Sequence, residues 1–564
     1  MDFQEKLKAV YRKQNKIAPL IEGLEEEIPQ QTLDDYYVKL NIIIKQNDDK
    51  KQGNYEKISG KKQEVEITNI FDQITSKTEP RRLLILRGAG VGKSTLMQFM
   101  ADRWSRGDLW AEKFDYVYRI TLKALLNEEW KENYEMKDRK ADTLKCLAHY
   151  QLVAGLDSTE EFKLEDMVWL EKKEKVLLLL DGYDEVAHER DGIYKDVFTK
   201  IFQHENLILT SRPNAIHKEM AEKFGREIEN TGLDHDGINQ YLTQYFKNDK
   251  EKGAGLQEFL RKNSSIKDIC RIPVNIAMMC FIWSEGEADE TAQKISNVSD
   301  LYSQVVNQLG FRYDTKQSKQ NRDELISKWR GREIYLDELQ VLQHVAYKGM
   351  TGGGFEVPEE KRTETLIIKG ITKKGDKDGI SIQSSILYLQ EKLKRNMPAI
   401  NKVYKYGLLK PDGSVKLQTE TSKRKEPSDT DLLAQSFNFI HLSFQEFLTA
   451  FYFVKKLLKE GSKEEQEKVG NFIAYCRNEP RYLMTLKFMA GILSSCEDDE
   501  ADEKINIFWD AVLCNPDGVL ELGVEAKVTL LMHLIGQTRD ETRVPNMSLA
   551  VDFIDSVVLR DISG

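Results

Sequence analysis

Closely spaced cysteines are absent from this sequence, although the chain is long enough to hold many. Its 564 residues include 6 cysteines, and none of them forms a C-x-x-C pair. Disulfide frameworks and zinc knuckles need clustered cysteines, so the spacing indicates neither and favours a reducing compartment. We therefore predict a cytoplasmic protein. The cysteines are Cys146, Cys270, Cys280, Cys476, Cys496 and Cys514.

An excess of positive charge and a long apolar run are also missing. The 83 Lys and Arg residues are outnumbered by 93 Asp and Glu residues, which leaves a net charge of −10 and no general attraction to nucleic acid. The longest nearly apolar run, residues 272–283, is too short to cross a bilayer. The charged N-terminus lacks the apolar core of a signal peptide. We predict neither a nucleic-acid partner nor a membrane span.

Short apolar runs alternate with helical stretches between residues 67 and 222. Continuous Val, Ile and Leu runs are typical of strands that are buried on both faces, which predicts a three-layer α/β domain with a parallel sheet. Beyond about residue 225 the apolar spacing becomes helical and strand patterns nearly vanish. The four strand-like runs are LLIL (83–86), FDYVYRITL (114–122), VLLLL (176–180) and NLILT (206–210).

Two further regions have other patterns, one before the α/β part and one within the helical part. Residues 1–66 begin with helical spacing and continue into a charged linker. Residues 350–430 mix turn-forming and charged segments, which indicates an insertion with exposed loops. The stretches YGLLK and SFNFIHLSF flank the later part of that insertion and are predicted to be the two strands of a β-wing. No repeat of a solenoid is evident.

The stretch RGAGVGKST follows the first buried strand and opens a helix, which is the context of a Walker A loop. Its backbone N–H groups are suited to a β-phosphate, Lys93 to the β- and γ-phosphate oxygens, and Ser94 to Mg²⁺. Arg87 occupies the slot of the first glycine, where a positive φ would cost about 1–2 kcal/mol. The predicted nucleotide-binding residues here are Gly88, Ala89, Gly90, Val91, Gly92, Lys93, Ser94 and Thr95.

A second strand, in KVLLLLDGYDEV, ends in an acid. Asp181 at its carboxyl end is a candidate for holding Mg²⁺ through water. Asp184 and Glu185 follow within one turn, and either is placed to orient or deprotonate an attacking water; we favour Glu185 as the base. A solvated acidic loop is the alternative.

A third strand, in NLILTSRPNAI, ends next to Arg212. A guanidinium at a strand end is suited to report whether a γ-phosphate is present. An arginine after a strand is common, so this feature gains its weight from the order of all three strand ends. Together they predict a site for ATP or ADP with Mg²⁺.

The order of RGAGVGKST, LLLLDGYDE, LTSRP, RIPVNIAMM and FNFIHLSFQEFLTAF resembles the NACHT class of STAND P-loop ATPases. This class forms the nucleotide-binding domain of NOD-like receptors and their bacterial relatives. The resemblance covers roughly residues 67–495. It implies that Pro273 contacts the adenine and that His441 reaches the ADP phosphates in a closed state. A helix-opening proline and a histidine of the core or wing are the alternatives.

The resemblance also implies an organisation and a function. The expected domains are a P-loop NACHT domain, a helical domain, a winged-helix domain with the insertion at about 350–430, and a C-terminal helical domain, after the N-terminal region 1–66. ADP would clamp the domains together, ATP would release them for homo-oligomerisation, and slow hydrolysis would reset the switch. Such a protein would signal in intracellular defence or cell death, in answer to a protein or ligand trigger that the sequence does not name. The domain bounds are 67–222, 223–315, 316–455 and 456–564.

Two other functions stay open at this level. A mechanochemical ATPase of the AAA+ kind would turn over ATP quickly, but no trans arginine finger is evident. A nucleotide-free adaptor scaffold would follow if Arg87 spoils the phosphate loop. A winged helix also suggests DNA binding, yet the basic segments KKGDKDG and SKRKEP are typical of solvated loops.

Overall fold

The computed structural model divides the chain into two compact units. The first contains residues 1–19, 24–257 and 270–274, and the second contains residues 20–23, 258–269 and 275–564. The residues described are 3–15, 32–33, 42–44, 63–73, 79–86, 92–126, 143–154, 163–167, 175–187, 193–212, 215–216, 218–230, 232–285, 295–317, 337–351, 382–393, 396, 398, 400–411, 437–457, 463–477, 479–495, 501–513 and 524–538.

A twisted sheet forms the centre of the first unit. Its strands are β1 (Ile42–Ile44), β2 (Gln63–Glu64), β3 (Arg82–Leu86), β4 (Tyr116–Thr121), β5 (Val176–Asp181), β6 (Leu207–Ser211) and β7 (Arg226–Asn230). The spatial order is β2-β1-β7-β3-β6-β5-β4. The five strands from β7 to β4 are parallel, whereas β1 and β2 add antiparallel pairs beyond β7. The predicted α/β domain with a parallel sheet is confirmed.

Helices flank this sheet because its central strands are apolar on both faces. Every residue of β5 and β6 is buried, as expected for parallel strands covered by helices. All five parallel strands end at the same edge, so the segments that follow β3, β5 and β6 meet there. The helices of this part are Phe3–Lys13, Lys93–Arg106, Thr143–Ala154, Ile193–Gln203, Lys218–Ala221, His235–Tyr245 and Lys250–Lys262, with short 3-10 turns at Ile67–Asn69, Leu122–Leu126, Leu164–Asp166 and Tyr183–Glu185.

The helix Phe3–Lys13 packs against the helix Lys93–Arg106 and lies along the edge strand β4. The Tyr11 hydroxyl donates to Val117 O and accepts from the Arg119 N–H, both at 3.0 Å. Gln151 continues this cover, because its amide accepts from the Thr121 N–H and donates to Thr121 O. An open edge strand invites pairing with another chain. Side chains therefore form hydrogen bonds with main-chain groups of β4 that would otherwise be open to another strand.

The second unit is mainly helical, as the sequence predicts. Its helices are Ser264–Ile269, Pro273–Glu285, Val298–Gln317, Asp337–Thr351, Ile382–Leu393, Ile400–Lys405, Leu442–Lys455, Lys463–Cys476, Leu483–Ser494, Ala501–Leu513 and Val524–Ile535, the second of which begins in the first unit. The strands β8 (Leu409–Pro411) and β9 (Phe437–Phe439) pair antiparallel. They coincide with the two expected wing strands, but the winged helix stays a prediction. Residues 352–381 and 412–436 of the insertion region lie outside the described residues.

Tyr302 is central to the packing of the second unit. Its ring contacts Phe444, Phe447 and Phe488, and its hydroxyl donates to Ser443 Oγ at 2.6 Å. The segment FIHLSFQEFL thus packs its helix against the helix Leu483–Ser494. Within the described ranges, no helix has the length and apolar character needed to cross a membrane.

Candidate functional site

Gly92 is the last residue before the helix Lys93–Arg106, at the end of the predicted phosphate loop. Gly92 has φ 74° and ψ 42° and immediately precedes the helix Lys93–Arg106. A Cβ atom there would come no closer than 3.8 Å to Thr95, so the glycine is required by backbone conformation and not by space. Ser94 is exposed and Thr95 is partly buried in the first turn. Arg87, Gly88, Ala89, Gly90 and Val91 lie outside the described residues.

Asp184 contacts residues from two other predicted motifs. Lys93 Nζ donates to both of its carboxylate oxygens at 3.1 Å. Arg212 Nε lies 3.1 Å from Asp184 Oδ2, and the Arg212 N–H donates to Oδ1 at 3.2 Å. The Lys93, Asp184 and Arg212 side chains are only 14%, 7% and 13% exposed. Residues from three separate strand ends therefore form one ionic cluster, which we call the Asp184 cluster.

Asp181 is held by a neighbouring strand. Thr210 Oγ1 donates to Asp181 Oδ1 at 2.8 Å and accepts from the Gly182 N–H at 3.0 Å. Thr210 is fully buried, and Asp181 is nearly so. This chain of hydrogen bonds orients one carboxylate oxygen at the carboxyl end of β5. Thr210 was predicted only as the end of a strand, since a threonine in such a strand has no distinctive signal.

Glu185 differs from its neighbour Asp184 in environment. Its side chain is 37% exposed, and its Oε2 lies 3.7 Å from Lys123 Nζ. Desolvation by the surrounding protein raises the pKa of Glu185 above its ordinary value of 4.5, Lys123 opposes that rise, and the charges of Asp184 and Asp181 add to it. A carboxylate with a raised pKa is a better proton acceptor, which suits a general base. Lys123 was not predicted as a site residue; it lies in the 3-10 turn directly after β4.

The donor set at this edge fits Mg²⁺. Asp181 and Ser94 offer a carboxylate and a hydroxyl, the hard oxygen ligands that Mg²⁺ prefers. In the part of the chain that the structure describes, no group of three or more His, Cys, Asp or Glu side chains is arranged to hold a metal ion. A nucleotide-bound Mg²⁺ needs fewer protein ligands, because phosphates and waters complete its octahedron. The residues present are therefore sufficient for that ion.

Pro273 is the first residue of the helix Pro273–Glu285, a position that proline favours. The segment before it packs against the chain that follows β7. The Leu233 N–H donates to Arg271 O at 2.7 Å. Gly232 has φ 91°, and a Cβ atom there would lie 2.4 Å from Arg271 O. The absence of a side chain at Gly232 thus permits close backbone contact with Arg271, two residues before the helix begins.

His441 caps the helix Leu442–Lys455 in the second unit. Its Nδ1 accepts from the Ser443 N–H at 3.2 Å and lies 2.6 Å from Ser443 Oγ. Because Nδ1 is an acceptor, a neutral ring carries its proton on Nε2. Nδ1 of His441 therefore caps the helix, and Nε2 carries an N–H that can donate a hydrogen bond.

The parallel sheet with its flanking helices fits the α/β domain of a P-loop NTPase. Comparison with known families specifies the class further, because residues 81–249 match the NACHT domain. The human NACHT, LRR and PYD domains-containing protein 12 is 20% identical over 466 residues, which cover 79% of this chain and 37% of that protein. The mouse NACHT, LRR and PYD domains-containing protein 3 is 22% identical over 71% of this chain and 33% of its own length. These findings confirm the predicted resemblance to the NACHT family, whose domain residues 81–249 of the chain match.

The chain spans about a third of the length of the first curated relatives that it matches, 37% and 34% in two of them. A solved STAND protein with a tetratricopeptide repeat sensor from Pyrococcus horikoshii aligns with 85% of this chain and 62% of its own, at 11% identity and a TM-score of 0.25.

Proposed function

We propose that this protein is a nucleotide-operated switch that binds ADP or ATP with Mg²⁺ at the carboxyl edge of its parallel sheet. The observation that carries the proposal is the Asp184 cluster. Lys93 and Arg212 come from different motifs and direct two cations to one carboxylate. Two cations aimed at one point match the charge of a γ-phosphate as well as that of a carboxylate.

The remaining roles are those that the sequence motifs predict. The loop residues Gly88 to Gly92 would surround the β-phosphate, with Lys93 and Thr95 at the start of the helix behind it. Ser94 and Asp181 would hold Mg²⁺, which supplies positive charge to the phosphate oxygens when bound. Glu185 would deprotonate the attacking water, and Asp184 would orient Lys93 and Arg212. Hydrolysis would be slow and would reset the switch.

The switch itself involves the second unit. Pro273 would contact the adenine, and the Nε2–H of His441 would donate to an ADP phosphate in the closed state. Exchange for ATP would open the protein for homo-oligomerisation in the cytoplasm, as part of defence or cell-death signalling. To change the ratio of open to closed protein from 1:99 to 99:1, a ligand must bind the open state more tightly by about 5.5 kcal/mol. Nucleotide exchange then acts together with a protein or ligand trigger.

Nucleotide content tests this proposal directly. The protein is purified gently and denatured, and any released nucleotide is identified by chromatography. We expect close to one ADP per chain in the wild type and none in Lys93→Ala. Lys195→Ala, which removes an exposed lysine of the same unit, is the matched control and should retain ADP.

Arg87→Gly separates the proposal from its alternatives. A wild type that is empty, together with an Arg87→Gly variant that fills, would mean that Arg87 impairs the loop and that the chain is an adaptor scaffold. A wild type that binds nucleotide but turns over ATP rapidly would favour a mechanochemical ATPase instead.

A further inference from the structure

The helix Phe3–Lys13 ends beside Arg119 of the edge strand β4. Arg119 Nη2 donates to Gln14 Oε1 at 2.9 Å. The Arg119 N–H donates to the Tyr11 hydroxyl at 3.0 Å. Gln14 also accepts, through its carbonyl oxygen, from Gln98 of the helix that begins at Lys93. Both the main chain and the side chain of Arg119 are therefore held by the N-terminal helix.

Arg119 projects from the same face of the sheet as Asp181. Thr121 pairs in register with Asp181, and Arg119 pairs with Leu179. Side chains two residues apart on a strand point to the same face, so Arg119 lies diagonally across from Asp181. The strand spacing and the rise per residue place their Cα atoms about 8 Å apart.

The charges of these two residues interact. Burial lowers the pKa of the Arg119 guanidinium from its ordinary value, while the negative charge of Asp181 opposes that shift. Arginine stays protonated in proteins, so a permanent positive charge lies close to the carboxylate that is assigned to Mg²⁺. None of the sequence motifs includes Arg119.

We propose that Arg119 is a positioning residue that sets the Mg²⁺ affinity of Asp181, and that the helix Phe3–Lys13 holds it there through Gln14 and Tyr11. The positive charge of Arg119 stabilises an Asp181 carboxylate without Mg²⁺ and repels the ion when it binds. A movement of the N-terminal helix that draws Arg119 away would strengthen Mg²⁺ binding. This inference rests on the proposed nucleotide site.

A Mg²⁺ titration of the full chain tests the inference. A fluorescent, non-hydrolysable ATP analogue is held at saturation, and the free Mg²⁺ concentration at half-maximal signal change is measured. We expect Arg119→Gln to lower that concentration about tenfold, as the loss of one like charge at this distance implies. Arg119→Lys keeps the charge and should restore a midpoint close to that of the wild type. Damage to the fold would weaken Mg²⁺ binding, which is the opposite result.

The helix supplies a second, independent pair of variants. Gln14→Glu places a carboxylate next to the guanidinium, draws charge away from Asp181 and should lower the midpoint about threefold. Gln4→Glu makes the same substitution at the far end of the helix, where Gln4 donates to Asp115 O, and should leave the midpoint unchanged.

The outcomes distinguish this inference from the proposed function. A wild type that binds no nucleotide, or binds it without any response to Mg²⁺, would overturn the proposed function. A wild type that responds to Mg²⁺, with an unchanged midpoint in Arg119→Gln, would overturn only the role of Arg119. Equal shifts in Gln14→Glu and Gln4→Glu would overturn the charge effect assigned to Gln14, because Gln4 bonds Asp115 and Gln14 bonds Arg119.

Discussion

Asp184 is the residue on which the electrostatics of the site depend. Its carboxylate balances Lys93 and Arg212 in a nearly buried position. Removing one partner of such a cluster leaves the others with uncompensated charge, which costs more than the pair contributes. Nucleotide phosphates supply negative charge at the same edge of the sheet, so the cost should depend on whether nucleotide is bound.

Asp184→Asn should therefore destabilise the nucleotide-stripped protein by about 2–4 kcal/mol and increase the stabilisation that added nucleotide produces. Thermal unfolding with and without ADP measures both effects. Glu185→Gln is the control, because Glu185 is more exposed and pairs only loosely with Lys123; its stripped form should unfold close to the wild type. Equal losses in the two variants would argue against a special role for Asp184.

The raised pKa of Glu185 predicts the pH dependence of hydrolysis. A base must be deprotonated, so the rate should fall on the acid side with a midpoint above 4.5, the ordinary glutamate value. Lys123 lowers the pKa of Glu185, so Lys123→Gln should move that midpoint to higher pH, whereas Lys123→Arg should not. Single-turnover hydrolysis measured across pH is the test. An acid limb that does not move in Lys123→Gln would remove Glu185 as the base.

The same shift has a consequence for stability. Since the folded-state pKa of Glu185 lies above its unfolded value, the folded protein binds the proton more tightly. The contribution of this residue to stability therefore falls as pH rises from the ordinary value through the raised one.

At the scale of elements, Gly232 permits the contact between the segment after β7 and the segment before the helix Pro273–Glu285. Its φ of 91° disfavours any side chain, and Arg271 O occupies the space that a Cβ would need. Gly107 has a similar φ of 89° but nothing within 4 Å of its Cβ direction. The two glycines thus separate the cost of backbone conformation from the cost of a steric clash.

We expect Gly107→Ala to cost about 1 kcal/mol of unfolding free energy and Gly232→Ala about 3 kcal/mol or more. Chemical denaturation measures both, and ADP retention in the surviving folded protein reports whether Pro273 has moved. Similar losses in the two variants would mean that the backbone yields at Gly232 and that the close approach there is unimportant.

At the scale of the whole molecule, the switch hypothesis depends on His441. His441 also caps a helix, so a simple truncation would confuse two effects. Asparagine is a good N-cap but has no group equivalent to the imidazole Nε2, whereas alanine loses the cap at a cost of about 1 kcal/mol. The pair of variants distinguishes a nucleotide contact from a structural role.

Both His441→Asn and His441→Ala should release ADP faster than the wild type and form oligomers more readily with ATP. Nucleotide release is followed by fluorescence, and assembly by size-exclusion chromatography with light scattering. If His441→Asn behaves as the wild type and only His441→Ala changes, the histidine serves only as the helix cap and the proposed contact with an ADP phosphate is wrong.

Much of the first unit was predictable because its signals are local. Buried parallel strands appear as runs of Val, Ile and Leu, and a phosphate loop needs glycines at fixed spacing, so β3, β5 and β6 were predicted close to their observed bounds. The NACHT family followed from the order of those strand ends. The acids Asp184 and Glu185, by contrast, are neighbours in the chain, and the choice of Glu185 as the base rested only on its position beyond Asp181.

Only the tertiary structure showed the different environments of the two acids and connected the N-terminal helix to the site. Lys93 and Asp184 are 91 residues apart, and Tyr11 is separated from Arg119 by 108. Contacts at such separations depend on how helices pack over the sheet, which local spacing does not encode. The sequence by itself therefore determined the resemblance to the NACHT family and the parallel strands. The fold decided which carboxylate meets two cations, which one keeps a raised pKa, and that Arg119 lies beside Asp181.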